Sequence, residues 1–248
     1  KVTDITTADV LAVLQPIWLE KAETARRVKQ RIGMVMKWTV AKGWRQDNPA
    51  EAVSEALPKQ SRIAAHRKAL PYSEVAGCIE AIKASGASAA TKLALELTIL
   101  TACRSGEVRL ADWSEINLDK AEWTIPAERM KAKREHRIPL SGRAVELLKE
   151  AKALGDGTGL VFPGTKPGKP LSDMTLSKLV KELGFDVDVH GFRTSFKTWA
   201  QERTNTPREV SEAALAHAIK DKAEAAYARS DLFEKRRKLM ESWAQCLS

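Results

Sequence analysis

Cysteine is scarce in this chain of 248 residues: Cys78, Cys103 and Cys246 are odd in number and far apart. That excludes a disulfide framework and fits a reducing intracellular compartment, with the thiols serving as small core or surface residues. Histidine is almost as rare, and His66, His136, His190 and His217 never fall at metal-ligand spacing with one another or with a cysteine. No structural or catalytic metal, and no other cofactor, is therefore expected. No apolar run approaches the roughly 18 residues that a membrane span needs, so no membrane partner is expected either. A signal-like start, internal repeats and low-complexity tracts are also missing. Tyrosine occurs only twice, as Tyr72 and Tyr227.

What is present is a globular composition with a basic bias. Apolar residues make up 44 %, enough for sizeable cores, and the formal charge is +9 with a pI near 9.5. A polyanionic partner follows as the first expectation. The excess is uneven, with 13 Lys and Arg against 7 Asp and Glu in the first 70 residues.

The second tyrosine has unusual company upstream. In order come Arg104 in TACRSGE, Lys131 in ERMKAKREHRIPLS, His190 and Arg193 in HGFR, His217 in LAHAI, and then Tyr227 in AEAAYARSD. Five cationic or proton-carrying side chains ahead of one phenol suit phosphodiester cleavage through a covalent tyrosyl ester. The attacked phosphate gains negative charge, and the guanidinium forks of Arg104 and Arg193 match its nonbridging oxygens. The leaving 5′-oxygen needs a proton, for which Lys131 and His190 are both candidates. A phenol with a free pKa of about 10 becomes nucleophilic when cations and a basic partner stabilise phenolate.

Four stretches in this order, LTILTACRSGEVRLADWSEINL, EWTIPAERMKAKREHRIPLS, VHGFRTSFKTWA and LAHAIKDKAEAAYARSDLFEKRRKLMESWA, resemble the tyrosine recombinases, and among them the integrases of phages, prophages and genomic islands. The resemblance runs from about Ile5 to Trp243. It implies a mainly α fold with a small antiparallel β-sheet, catalytic residues Arg104, Lys131, His190, Arg193, His217 and Tyr227, and integration or excision of a mobile element through a 3′-phosphotyrosyl intermediate. It also implies double-stranded attachment-site DNA as partner, a homotetramer on synapsed DNA, DNA-bending accessory proteins, and a location in the bacterial cytoplasm at the nucleoid. Lys131 stands eight residues before the proline of IPL, where the family places its hairpin lysine, with Lys133 as competitor and Arg129 and Arg134 as phosphate contacts. His190 distinguishes the chain from type IB topoisomerases, which resemble the arrangement but usually carry lysine or arginine there. A catalytically silent DNA-binding regulator on the same fold is the other alternative, and it would have lost a catalytic residue. Ala216 stands where the family often has glycine. Relative to such integrases, the opening at Lys1 reads as a fragment lacking the arm-binding module.

Three segments are expected: a partial helical core-binding domain over 1–56, a linker over 57–70, and a catalytic domain over 71–248 ending in a tail helix. In the first, Thr6 to Asp9 has capping-box spacing before a short helix. A longer helix then carries Ala25, Val28, Ile32, Val35, Trp38 and Thr39 on one face, with Arg26, Arg27, Lys29 and Arg31 as a basic DNA-facing cluster and Gly43 as its stop. In the last, Glu122–Pro126 and His136–Leu140 read as strands around a Lys- and Arg-rich turn that holds Lys131, and also Lys133, on a mobile tip. Ser141 is the expected N-cap of the next helix and Pro207 the first-turn proline of a helix through PREVSEAALAHAI. The stripe Leu232, Phe233, Arg236, Leu239, Met240, Trp243, Leu247 is expected to dock on a neighbouring protomer when DNA is synapsed, with packing in cis against its own domain as the alternative for the free chain.

Overall fold

The computed structural model describes residues 1–60, 68–155, 157, 159–217 and 230–248, and the chain divides into two compact units, Lys1–Ala65 and His66–Ser248. Tyr227 and His66 lie outside the described residues.

The first unit is helical. Thr6 opens α1 (Thr7–Leu14), its hydroxyl accepting from the Asp9 backbone N–H at 3.2 Å while the Asp9 carboxylate accepts from the Thr6 N–H at 2.8 Å. Pro16 then turns the chain through one 3-10 turn into α2 (Ala22–Ala41), which stops before Gly43, whose φ of +70° glycine adopts without a Cβ clash. Asn48 and Pro49 start α3 (Pro49–Ala56). Val10, Leu14, Trp18, Ala25, Ala50, Val53 and Leu57 make the core.

The face of α2 differs from the expected one. Ala25, Met36 and Thr39 are buried, but Val35 and Trp38 are 52 % and 51 % exposed. At 100° per residue the inward arc centres on Ala25, Ile32 and Met36, and Val35 and Trp38 fall outside it. Trp38 instead meets the edge of Trp44, with ring centroids 5.0 Å apart. The basic cluster divides by the same geometry. Arg26 and Lys29 line a groove of about 920 Å³ with Lys37 and Lys59, whereas Arg27 and Arg31 lie on the flank toward Trp38. Arg26 and Arg27 both pair with Glu23, at 2.9 and 2.8 Å, and Lys29 donates to Ser54.

The second unit is mainly helical around one core. α4 (Val75–Ala84) and α5 (Ala89–Thr101) come first, and nearly every side chain of α5 is buried. Short α6 (Ser105–Arg109) follows. A three-stranded antiparallel sheet in the order β1 (Ile116–Asn117), β2 (Glu122–Ile125), β3 (His136–Pro139) pairs Trp123 with Ile138 and Ile125 with His136. Ser141 caps α7 (Gly142–Lys152), and α8 (Thr175–Glu182), α9 (Gly191–Arg203) and α10 (Arg208–Ala214) precede α11 (Phe233–Cys246). The small sheet matches expectation, with β1 added.

Both described ends of the expected linker are fastened. Pro58 O accepts from the Trp18 indole at 2.7 Å, while Lys68 O accepts from the Asp188 N–H at 3.1 Å and Leu70 is in the second core. A Cβ on Gly191 would sit 2.1 Å from Lys68 O, so only glycine lets this strap cross the start of α9.

In the free chain the tail stripe packs in cis. Phe233, Arg236, Leu239, Met240, Trp243 and Leu247 are all buried, and Trp243 donates its indole N–H to Ile99 O at 3.0 Å. Its ring lies 5.7 Å from Phe196 and 4.9 Å from Trp199. Arg236 is satisfied by Asp231 and by Arg137 O at 2.6 Å. Apolar area of this size is withdrawn from water by the nearest complementary surface, here the chain's own α5 and α9.

Candidate active site

The site of the second unit is built where three chain breaks meet. α5 ends in Ala102, left-handed at φ 49°, and the chain then extends through Cys103 and Arg104. The Arg104 guanidinium donates to Glu107 Oε1 at 2.7 Å, and its backbone N–H donates to Oε2 at 2.7 Å. One buried carboxylate thus sets both the start of α6 and the direction of a guanidinium that remains partly open to solvent. Glu107 therefore orients Arg104. Behind it, Arg129 donates to Glu107 O at 2.6 Å and pairs with Glu115. Arg129 is thus braced within the second unit.

Arg193 enters from the first turn of α9 and is only 4 % exposed. Its Nη1 donates to Ala102 O, and its Nη2 donates to Leu215 O at 2.6 Å, while Nε has no partner among the described residues. The guanidinium clamps the end of α5 to the end of α10. Burial pulls its pKa down, with Arg104 adding to that and Cys103 and Glu107 opposing. Cys103 is itself buried, and desolvation pushes its thiol up to about 12, so it is inert as a nucleophile.

α10 is shorter than the sequence suggests. Pro207 is its N-cap, and the helix closes at Ala214 with Ala216 N donating to Ala213 O and His217 N to Glu212 O, both at 3.0 Å. This is a Schellman closure with Ala216 at φ 49°, the place where glycine costs least. The apolar approach to His217 is therefore not a continuing helix, and the imidazole emerges 40 % exposed. Its Nδ1 lies 2.5 Å from Glu212 Oε2, and its Nε2 lies 3.4 Å from Arg193 Nη2. Glu212, whose other oxygen is 2.6 Å from Lys197 Nζ, was not found by sequence reasoning. The signal was a carboxylate five residues before His217, visible only once the closing turn is known.

His136 has a structural place beside the site. It begins β3 with its ring hydrogen-bonded to the Ala214 carbonyl, another open end of α10, and lies near Arg236, Glu107 and Arg193. Burial, helped by Arg236 and Arg193 against Glu107 and that hydrogen bond, holds it down to about 4. The ring is neutral at pH 7. A histidine whose folded pKa is depressed leaves the unfolded chain to bind the proton first, so stability is complete above pH 6.5 and is lost as pH falls toward 4. Stability should drop by about 2 kcal/mol between pH 7.5 and 5 from this group. Urea unfolding at both pH values should show it, and His136→Gln should flatten that limb.

The other predicted residues stand differently. His190 is the N-cap of α9 and exposed, whereas Arg193, three residues on, is buried. Lys131 is exposed in the turn between β2 and β3, and no partner for it occurs among the described residues. The turn is less free than expected: buried Met130 and braced Arg129 anchor its first half. Lys133 is left-handed at φ 52° and reaches Glu128 O at 3.3 Å. Arg104, Arg193 and His217 are thus brought together. Tyr227, outside the described residues, is not placed. Among the described residues no group of three His, Cys, Asp or Glu side chains is arranged for a metal, and no helix is long and apolar enough to cross a membrane.

A helical unit with a small sheet, holding two arginines and a histidine at one point, is the form of a tyrosine recombinase catalytic domain. Sequence comparison agrees: residues 68–232 match the phage integrase family and residues 1–56 its central domain, and the chain belongs to that family. It is 36 % identical to the prophage integrase IntZ of Escherichia coli K12 over 99 % of its length, and 32 % identical to the integrase of enterobacteria phage P4 over 92 %. It spans 61 % and 55 % of those two proteins. Its fold resembles a lambda integrase tetramer bound to a Holliday junction, with TM-score 0.66 and 22 % identity over 89 % of this chain and 66 % of that one. A lambda integrase(75-356) dimer bound to a core site gives 0.64 and 23 % over 87 % and 80 %.

Proposed function

We propose that the chain is the DNA-cutting and rejoining part of a site-specific recombinase that integrates or excises a mobile element. The observation that carries the reading is the convergence of Arg104, Arg193 and His217 in a chain of this family. Arg104 and Arg193 hold the scissile phosphate, the second after exchanging a carbonyl for a phosphate oxygen. His217 contributes Nε2 at the same point. Tyr227 attacks phosphorus to give a 3′-phosphotyrosyl ester, and the 5′-oxygen leaves with a proton from Lys131 or His190. The ester keeps the energy of the broken bond, so a 5′-hydroxyl of another strand can reverse the step without ATP.

Residues 1–56 are the core-binding part, 57–70 the link and 71–248 the catalytic domain. Arg26 and Lys29 face one groove and Arg27 and Arg31 a separate flank, so the first pair follows the DNA backbone together and the second contributes independently, with Lys133 near the cleavage point. The partner is attachment-site duplex DNA in the bacterial cytoplasm at the nucleoid, with a homotetramer at synapsis and DNA-bending accessory proteins. The lambda neighbours, a dimer on a core site and a tetramer on a Holliday junction, support the assembly. A retained full set of catalytic residue types disfavours a silent regulator, and His190 disfavours a topoisomerase.

The test is a nicked suicide duplex carrying the element's junction, incubated in chelator. A covalent protein–DNA band is expected. Lys131→Ala should be slow on ordinary DNA and rescued on a 5′-thio substrate, whose leaving group needs no acid. Rescue of Lys133→Ala instead would move the acid by two residues, and rescue of neither would assign it to His190. No covalent product with any junction duplex would overturn the reading.

A further inference from the structure

The ion network behind His217 has no place in the steps above, yet its geometry is specific. α9 carries Arg193 and Lys197 four residues apart, hence on one face. Both reach the closing turn of α10: Arg193 to Leu215 O, and Lys197 to Glu212 Oε1 at 2.6 Å. The Schellman turn brings Glu212 under His217, leaving Oε2 2.5 Å from Nδ1. Burial pushes the Glu212 carboxyl up, but the Lys197 ammonium and the His217 ring outweigh it and hold the group at about 2. Glu212 is therefore an anion that can only accept.

We propose that Glu212 is the positioning residue of His217: its carboxylate, anchored by Lys197, holds a proton on Nδ1 and leaves Nε2 as an acceptor facing the site beside Arg193. This deepens the recombinase reading and rests on it for what that acceptor meets. The contacts assign the tautomer from both sides. A carboxylate facing Nδ1 requires a donor there, and Arg193 Nη2, itself a donor, faces Nε2 at 3.4 Å. The Nε2–H tautomer would set two acceptors against each other and leave Arg193 opposite an N–H. Positioning by a fixed carboxylate is how an imidazole is presented without losing orientation at the moment of reaction.

Two measurements on the full chain test this. Imidazole nitrogen NMR with histidine-selective labelling, without DNA, should show His217 as the Nδ1–H tautomer, and Glu212→Gln should give a mixture. A wild-type ring protonated on Nε2 alone overturns the proposal whatever the activity. In single-turnover cleavage of the suicide duplex, Glu212→Gln should slow the step about ten- to a hundredfold at unchanged DNA affinity, the range for one lost charge-assisted hydrogen bond. In a His217→Ala background the same substitution should add nothing. An equal loss in both backgrounds, or none in the first, sinks the positioning role. Failure of the wild type to cleave would instead count against the recombinase reading and leave the tautomer result standing.

Discussion

Tyr227→Phe should lose covalent DNA attachment entirely while binding the same duplex as tightly as the parent. The substitution removes one oxygen and leaves the ring, so packing and charge are untouched. Without the phenol no ester can form, and the remaining arginines and histidine can polarise the phosphate but not attack it. Loss of a nucleophile from an otherwise intact site costs on the order of 10⁴-fold or more in rate. Trapping on the suicide duplex measures attachment, and equilibrium titration of the same duplex measures affinity. A residual covalent band in the phenylalanine variant would transfer the nucleophile elsewhere, and Tyr72, half-buried before α4, would be examined next.

The second large effect is on stability. Trp243 is fully buried between Phe196 and Trp199, with its indole N–H on Ile99 O, so α11 ties α5 to α9. Trp243→Ala leaves a cavity and an unsatisfied carbonyl. A cost of about 3–5 kcal/mol is expected. For a unit of this size that lowers the melting temperature by roughly 10 °C. Truncation after Asp231 should abolish cooperative unfolding of the second unit altogether, because Leu239, Met240 and Leu247 leave the same core. Calorimetry of the three proteins decides it. If the truncated chain melts cooperatively at the parental temperature and added peptide restores strand exchange, α11 works in trans and the cis packing is dispensable.

The contrast between these predictions marks what could be read before the structure. The order of Arg104, Lys131, His190, Arg193, His217 and Tyr227 points to the proposed chemistry, since phosphate transfer constrains residue types whatever the backbone does. Strand and cap positions were legible for local reasons. Ser141 and Thr6 close hydrogen bonds within three residues, and the β2–β3 pairing follows from two short β-type runs around a turn. The failures have one physical origin. Val35 and Trp38 were placed inward because apolar character was taken for burial, and α2 had partners enough for one arc only. The stripe on α11 was correct as a stripe, but periodicity says that a face is buried and not against what.

The sequence alone determined the family and the mainly helical class with its small sheet. Tertiary structure decided the rest. Arg193 is a buried clamp on two carbonyls, because the ends of α5 and α10 meet at its side chain. Glu212 and His136 belong to the site because a Schellman turn and a strand end bring them there from elsewhere in the chain. Long-range hydrogen bonds of this kind depend on which helix ends are left open and what lies opposite them. That is a property of the packed fold, and no local window of sequence contains it.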